Sequence, residues 1–303
     1  MGVGATKGQR VLDWAGNQDE LAQLAQKQLF FVGGAPRSGT TWLQQMLDSH
    51  PEVCCRGEGL FLNHFAVPLE RLMNQRAAVI EGKNRSIFGH TGGYPLAPPE
   101  DCEFLVGSAI MLGFRQQAAA KPSNAIGEKT PENVFFFPRL KRLFPRGKFI
   151  AIARDPRDVL SSAWHFFAKN GAGVDEAAAK RNFIVTALPS LADGARAMVE
   201  FQQRHPADCA VVTYEQLRID PATELARLFR LLGVSDAAEV VADCIARTSF
   251  AKLSGGRRPG EERDGSFFRK GVVGDWRETF SADQGKLVID QLGWMFPRYG
   301  WTI

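Results

Sequence analysis

The residues Gly33–Leu43, which read GGAPRSGTTWL, constrain the fold of this chain more than any other stretch. They follow the apolar run Leu29–Val32, which is typical of a buried strand. After them, apolar side chains recur at helical spacing as far as Leu47. A strand, a glycine-bearing turn and a helix in this order can bind phosphate, because the free N–H groups and the dipole at the helix start attract an anion. The stretch therefore predicts an α/β fold with a phosphate site.

The loop departs from the nucleoside-triphosphate P-loop, GxxxxGK[ST], at its lysine position. Gly34 and Gly39 have the P-loop spacing, but Thr40 stands where the lysine is expected. The cation of this loop is Arg37, which lies inside the turn. Because the lysine–magnesium apparatus is lost, the loop suits a less charged group than a triphosphate, such as one phosphate bearing a sulfate. The alternative is an ordinary strand–helix turn that binds no ligand.

Short apolar strands alternate with amphipathic helices along most of the chain, which has 303 residues and is 45% hydrophobic. This alternation predicts a single-domain, three-layer α/β fold with a mainly parallel central sheet and a P-loop-like strand-loop-helix. Strands are predicted at Leu29–Val32, Val53–Cys55, Ala125–Gly127, Phe149–Ala153 and Cys209–Thr213, and helices at Thr41–Asp48, Arg157–Phe167, Glu176–Arg204 and Thr223–Leu232. Asp155 and Asp220, each followed by proline, are expected to cap the starts of the second and the last of these helices, and Gly233 to end the last. We expect residues 1–27 to be a flexible N-terminal arm, residues 28–303 to be the domain, and the glycine-rich segment Leu253–Gly265 to be a mobile lid.

Composition limits the partners of the chain. Charged residues make up 23% and the formal net charge is +4, so no nucleic-acid partner is expected. No run of about 18 apolar residues is present, so we expect no membrane span. The cysteines, of which there are 5, are scattered and give neither a disulfide framework nor zinc spacing. We therefore expect a cytoplasmic protein without a metal, and the composition leaves a homo-oligomer open.

A second motif, IAIARDPRDVLSSAWHFF, reads as a strand that ends at Arg154, a capped turn and a helix. Arg154 at the carboxyl end of a strand and Ser162, eight residues later, can converge on one anion. Alternatively, Arg154 pairs with Asp155 or Asp158 and has a structural role. The motif thus indicates an anion site, with an ion pair as the other interpretation.

Together these motifs resemble those of sulfotransferases that use 3′-phosphoadenosine 5′-phosphosulfate (PAPS). PRSGTTWL is similar to the family's 5′-phosphosulfate loop, with an arginine that tyrosylprotein and many bacterial members share. Arg154 and Ser162 match the 3′-phosphate site, and RKGVVGDW at Arg269–Trp276 matches the C-terminal signature. The matches extend over residues 31–276. The resemblance implies a nucleotide site made of Arg37, Ser38, Gly39, Thr40, Thr41, Trp42, Arg154, Ser162, Tyr214, Phe250, Arg269, Lys270 and Gly271.

Three aromatic residues of this set are expected at the adenine. The resemblance implies that Tyr214, in YEQL, reaches the ring, and that Phe250 and Trp42 stack on its two faces. Taken alone, Trp42 and Phe250 would more often be core residues.

The general base is the part of the site in which the chain departs from the cytosolic members. Those members use a histidine in a Lys-Thr-His segment, but here the segment is GEKTPEN and Pro131 occupies the histidine position. The tyrosylprotein branch has a glutamate in a Gly-Glu step, which corresponds to Glu58, and a lysine near the bridging oxygen, which corresponds to Lys129. The resemblance therefore implies Glu58, Lys129 and Arg37 as catalytic residues. The alternatives for the base are His64, His90 and His165.

The sequence thus predicts a transferase that moves a sulfuryl group from PAPS to a hydroxyl, or an amine, of an organic acceptor. The acceptor is left open as a small molecule, a glycan or a peptide, and phenylalanine-rich stretches could wall its pocket or belong to the core. One alternative is a magnesium-dependent P-loop nucleotide kinase, and another is an inactive nucleotide-binding module. The C-terminal dimer sequence of many cytosolic members is not matched, so their dimer is not carried over.

Overall fold

The computed structural model describes residues 13–89, 93–169, 175–263 and 266–303. Within them, five strands form one sheet in the order β2-β3-β1-β4-β5, and every neighbouring pair is parallel. The strands are β1 (Gln28–Gly34), β2 (Val53–Cys55), β3 (Ala125–Lys129), β4 (Lys148–Ala153) and β5 (Cys209–Thr213). The predicted α/β fold with a parallel sheet is confirmed, and β1, β3 and β4 are longer than predicted.

Helices connect the strands and cover the sheet. They are α1 (Trp14–Leu24), α2 (Thr40–Asp48), α3 (Val67–Lys83), α4 (Pro99–Ala120), α5 (Asn133–Leu143), α6 (Pro156–Ala163), α7 (Glu176–Arg204), α8 (Tyr214–Ile219), α9 (Pro221–Leu232), α10 (Ala238–Arg247), α11 (Phe250–Leu253), α12 (Trp276–Thr279), α13 (Ala282–Leu292) and α14 (Met295–Tyr299). Three further segments, Phe61–Ala66, Asn84–Phe88 and Trp164–Ala168, are π-helical. The predicted helix at Arg157–Phe167 is therefore α-helical only as far as Ala163. Helices α3, α4, α5, α8 and α10–α14 were not predicted.

The strands bury both of their faces, as expected of a parallel sheet. Because side chains alternate along a strand, Phe31 and Phe149 join a core with α4, α5 and α7, whereas Phe30, Val32 and Ile150 join a core with α2, α9 and α10. These two cores make the three layers of the fold.

Capping residues determine where the helices around the site begin and end. Asp155 accepts a hydrogen bond from the Arg157 N–H at 2.9 Å and starts α6, and Asp220 accepts one from the Thr223 N–H at 3.1 Å and starts α9. Gly233 ends α9 in the left-handed conformation, with φ 67°. The sequence predicted all three.

The strand order positions the site. The chain leaves β1 towards β3 and β2 on one side, and later returns to β4 and β5 on the other. Connections that diverge in this way open a crevice at the carboxyl ends of the central strands, where ligands bind in α/β folds. The loop Ala35–Gly39 follows β1 at this crevice.

Part of the predicted N-terminal arm has a defined structure. Helix α1 packs through Leu24 onto the core, and the Glu20 carboxylate lies 3.1 Å from the Arg115 guanidinium. Residues 1–12 lie outside the described residues, so a flexible arm there stays a prediction. Within the described residues, no helix combines the length and the apolar character that a membrane crossing requires.

Candidate active site

The loop between β1 and α2 has the backbone geometry of a tight anion-binding turn. Arg37 and Gly39 both have positive φ angles, 72° and 104°. A Cβ atom on Gly39 would lie 2.8 Å from Cδ2 of Tyr214, so glycine is needed here for close approach as well as for conformation. The next residue, Thr40, begins α2, so the first N–H groups of this helix are at the crevice.

The guanidinium of Arg37 lies between two aromatic rings. Its Cζ is 4.3 Å from the ring centroid of Phe166 and 4.7 Å from that of Phe267. It donates to Ser162 Oγ at 3.3 Å and to the Phe267 carbonyl at 2.9 Å. Burial, assisted by the nearby positive charges of Arg154 and Arg269, lowers the pKa of Arg37 to about 10. Arg37 is thus a cation in a site that disfavours positive charge, which is the electrostatic setting of an anion site.

Arg154 lies directly after β4 and faces the same loop. It donates to the carbonyl of Arg37 at 3.3 Å and to that of Val272 at 3.1 Å, and its guanidinium covers the ring of Tyr214 at 4.3 Å. Asp158 lies 3.8 Å away, so the ion pair that the sequence offered as the alternative does form. The same Asp158 carboxylate accepts from the Gly274 and Trp276 N–H groups at 2.7 and 3.0 Å, which ties the C-terminal motif to α6.

The C-terminal motif brings two more cations, and acidic residues accompany both. Arg269 contacts Asp275 and lies 2.6 Å from Glu262. Lys270 lies 2.8 Å from Asp275, and this hydrogen bond is the main reason that the pKa of Lys270 is raised. Gly271 has φ 65°, and a Cβ atom there would lie 2.4 Å from the ring of Phe250.

The aromatic side chains that the sequence assigned to adenine lie near one another. Trp42 donates from its indole N–H to the Thr248 carbonyl at 3.0 Å, which fixes the ring. The Trp42 and Tyr214 centroids are 5.4 Å apart in an edge-on arrangement.

These parts surround one cleft. Of the nucleotide-site residues predicted from the sequence, all but Ser38 line it. Ser38 is buried below the loop, and its hydroxyl lines a second cavity. The cleft is also lined by residues that the sequence did not single out, Arg218, Phe267, Phe268 and Val272. Arg218 could have been found, because it lies one helical turn after Tyr214 on α8.

The three predicted catalytic residues come from three neighbouring strands. Glu58 follows β2, Lys129 ends β3, and Arg37 follows β1. Lys129 is buried, donates to Thr41 Oγ1 at 3.1 Å and forms an ion pair with Glu58, whose side chain is 43% exposed. A carboxylate open to solvent therefore lies beside a buried cation that contacts the first turn of α2.

The alternative histidines differ in position. His64 is exposed in the π-helical segment Phe61–Ala66. His165 lies 3.3 Å from Thr279 Oγ1, and burial is the main reason that its pKa is lowered. His90 lies outside the described residues. Within the part of the chain that the structure describes, no three His, Cys, Asp or Glu side chains form a group that could hold a metal ion.

A second cavity, of about 290 Å³, lies on the other side of the phosphate loop. Its wall is mostly apolar and comes from α5, α6 and α7, with Val134, Phe135, Phe183, Leu191 and Met198 among its residues. Pro36 and Glu132 line the cavity and are one residue from Arg37 and three residues from Lys129, respectively. Arg37, Lys129 and Glu58 do not themselves line the cavity. Three residues of chain span at most about 11 Å, which bounds the backbone distance between Glu132 and Lys129.

Comparison with known proteins identifies the family. The model of the sulfotransferase family matches residues 30–238. The chain therefore belongs to the sulfotransferase family.

Curated relatives lie within this family. A putative protein-tyrosine sulfotransferase of Caenorhabditis briggsae is 29% identical over 208 residues, which are 69% of this chain and 66% of the relative. Protein-tyrosine sulfotransferase 2 of Gallus gallus is 28% identical over 218 residues, 68% of this chain and 51% of the relative. The nodulation protein NoeE of Sinorhizobium fredii is 27% identical over 295 residues, 87% of this chain and 63% of the relative. The chain thus spans between half and two thirds of the length of these relatives.

Solved structures share the fold. A mouse sulfotransferase, SULT7A1, crystallised with PAP, superimposes with a TM-score of 0.57 at 17% identity over 92% of this chain and 88% of that one. The sulfotransferase STF9 of Mycobacterium avium gives a TM-score of 0.54 at 14% identity over 95% of this chain and 81% of that one. At this identity the likeness concerns the fold.

Proposed function

We propose that this chain transfers the sulfuryl group of PAPS to a hydroxyl group of an organic acceptor. The observation that carries the proposal is the single cleft that Arg37, Arg154 and Lys270 line together with Trp42 and Tyr214. PAPS bears a phosphate at the 3′ position and a phosphosulfate at the 5′ position of its adenosine. The cleft offers cations from the loop after β1, from the end of β4 and from the C-terminal motif, together with aromatic rings that an adenine could contact. The mouse relative bound to PAP supports the same class of ligand.

Unpaired polar atoms at the cleft fit an anionic ligand. Arg154 and Arg269 line the cleft, and the Nε atom of each is buried and has no hydrogen-bond partner among the described residues. Buried donors without partners cost free energy, about 1–3 kcal/mol each, and a phosphate or sulfate oxygen would satisfy them. The residues present therefore suit a ligand of this chemistry.

The catalytic residues would divide the work of the transfer. PAPS supplies an activated sulfuryl group, and its displacement leaves negative charge on the bridging oxygen. Lys129, with Arg37, would stabilise that charge, because both are cations held in a site with little water. Glu58 would accept the proton of the acceptor hydroxyl, because its carboxylate is accessible and is fixed by Lys129.

For the acceptor, we infer a compound with an apolar part. The apolar cavity that Pro36 and Glu132 line has a volume of about 290 Å³, near the lower end of the range for small-molecule pockets, and Glu132 is three residues from Lys129. The protein-tyrosine sulfotransferase relatives favour a phenolic hydroxyl, which would also present an aromatic ring to such a cavity.

Thermal unfolding with PAP, ATP and ATP–magnesium in parallel tests the proposal. At about 100 times Kd, adenosine 3′,5′-bisphosphate (PAP) should stabilise the chain by roughly 2.7 kcal/mol, a shift of several degrees, with or without magnesium. Stabilisation by ATP–magnesium alone would favour the kinase alternative and contradict the proposal. Release of PAP from PAPS in the presence of a phenol then separates an enzyme from an inactive binding module.

A further inference from the structure

A buried carboxylate, that of Glu128, lies next to two residues that the proposed reaction uses, Lys129 and Glu58. Glu128 is in β3, directly before Lys129, and is 1% exposed. Because side chains alternate along a strand, Glu128 and Lys129 point to opposite faces of the sheet. No cation pairs with Glu128 among the described residues, so its burial must be compensated by hydrogen bonds.

Three donors surround the Glu128 carboxylate. Oε2 accepts from the Gly59 N–H at 3.2 Å and from the Thr130 hydroxyl at 2.9 Å, and Oε1 accepts from Asn133 Nδ2 at 2.7 Å. Asn133 also donates to the Val32 carbonyl of β1 at 3.1 Å. The carboxylate thus joins β1, α5 and the loop that follows β2.

The loop after β2 is the one that carries Glu58. Gly59 is the next residue, and the N–H of the residue after it, Leu60, donates to Thr130 Oγ1 at 3.3 Å. Leu60 has φ 50°, a left-handed conformation that disfavours residues other than glycine, so contacts outside the loop are needed to hold it. The contacts that the structure provides are those to Glu128 and Thr130.

We propose that Glu128 is a positioning residue, which holds the backbone of residues 58–60 so that Glu58 meets Lys129 at the end of β3. The inference rests on the proposed function. The Glu58 loop passes over the end of β3, with the Glu58 side chain on Lys129 and the following amide on Glu128.

A carboxylate is suited to this position because all three of its neighbours donate. An amide of the same shape would present its own N–H group to a donor, so Glu128→Gln must lose at least one of the three bonds. Burial raises the pKa of Glu128, and the hydrogen bonds from Asn133, Thr130 and Gly59 oppose that change.

The test compares Glu128→Gln with Asp208→Asn. Asp208 is an acid that accepts from Lys141 and Lys148, both at 2.7 Å, at the other end of the sheet, directly before β5. Glu128→Gln should lower kcat for sulfuryl transfer about 100-fold, the usual effect of a small displacement of reacting groups, and leave Kd for PAP within twofold. Asp208→Asn should leave both unchanged. An equal fall in kcat for the two variants, or a fall in PAP affinity that matches the fall in kcat, would overturn the proposal.

A double-mutant cycle asks whether Glu128 acts through Glu58. In a Glu58→Gln background, the added Glu128→Gln change should lower kcat less than twofold, because the group that it positions is gone. If the two substitutions instead lower kcat independently, so that the fall in the double variant is the product of the two single falls, the proposal is overturned. If Glu128→Gln does not fold, Thr130→Val, which removes the hydroxyl between Glu128 and Leu60, takes its place.

Hydrogen exchange separates this inference from the proposed function. The Gly59 and Leu60 amides should exchange at least tenfold faster in Glu128→Gln than in the wild type or in Asp208→Asn. If the wild type lacks sulfuryl transfer but these amides respond, the proposed function fails and the positioning stands. Unchanged exchange in Glu128→Gln overturns the positioning, whatever the activity.

Discussion

Two groups of residues in the proposed site hold their cations in different ways. At the end formed by Arg154, Arg269 and Lys270, which we call the anchor end, each cation already has an acidic partner: Asp158 at 3.8 Å, Glu262 at 2.6 Å and Asp275 at 2.8 Å. We call the predicted catalytic residues Arg37, Lys129 and Glu58 the transfer end. There Lys129 pairs with Glu58, whereas Arg37 faces two phenylalanine rings. Within the described residues no carboxylate pairs with Arg37.

This difference indicates a division of tasks. Paired cations are held in place and have much of their charge compensated, so the anchor end suits selection and orientation of a nucleotide. An uncompensated cation in a partly buried site interacts strongly with any negative charge that develops beside it. We therefore expect substitutions at the transfer end to change turnover and those at the anchor end to change affinity.

The largest expected effect is that of Glu58→Gln at the transfer end. A general base typically contributes 10²–10⁴-fold, so kcat should fall by that factor while Kd for PAP stays within twofold. Steady-state kinetics with PAPS and a phenol, together with calorimetry of PAP binding, measure the two quantities. His165→Ala is the matched control, because His165 contacts Thr279 of α12. Turnover like that of the wild type in Glu58→Gln, with an inactive His165→Ala, would move the base to a histidine.

The second prediction concerns the segment Leu253–Lys270, which joins the two ends. Arg257 donates to the carbonyls of Glu261, Phe268 and Arg269, so the described residues of the segment, 253–263 and 266–270, are organised around one side chain. If it closes on the nucleotide, saturation with PAP at about 100 times Kd should slow proteolytic cleavage there by up to 100-fold. AMP, which lacks the 3′-phosphate, should protect less at the same multiple of its Kd. Equal cleavage with and without PAP would make the segment a plain surface loop.

How far the sequence predicts each part depends on how local its determinants are. The loop after β1 and the caps Asp155 and Asp220 are determined by neighbouring residues, and the sequence predicted them. The aromatic contacts of Arg37 depend on Phe166 and Phe267, which come from distant parts of the chain, so no local pattern marks them. Helix α3 was missed for a related reason, because it has no buried residue and therefore no apolar periodicity to detect. Helix α4 could have been found, because Cys102, Val106, Ile110 and Phe114 are buried at a spacing of four residues.

The third prediction tests selectivity at the anchor end. Arg154→Ala should weaken PAP far more than AMP, because charge-assisted hydrogen bonds to the 3′-phosphate would be lost, worth roughly 1.5–3 kcal/mol, or about 10- to 100-fold in Kd. Calorimetric titration with both nucleotides measures the difference, and kcat at saturating PAPS should change little. Equal losses for PAP and AMP would show that Arg154 acts through Asp158 as a structural residue.

The smallest expected effect is on the free energy of unfolding of the protein without nucleotide. Substitutions of Arg37 and of Arg154 should change it in opposite directions. Burial lowers the pKa of Arg37 to about 10, well below that of an arginine in the unfolded chain, so the folded state disfavours the protonated form. The resulting cost in stability is present at every pH below about 10 and disappears as the pH rises from there towards the pKa of the unfolded chain. Because Arg37 is only partly buried, we expect Arg37→Met to stabilise the free protein at pH 7 by about 1 kcal/mol, well below the full value of the pKa shift.

Arg154→Met should destabilise the free protein, because the change leaves Asp158 buried without its cation. Urea unfolding of both variants at pH 7 measures the two signs. A loss of stability in Arg37→Met as large as that in Arg154→Met would mean that the aromatic rings hold Arg37 as firmly as a carboxylate does, and the two ends would not differ.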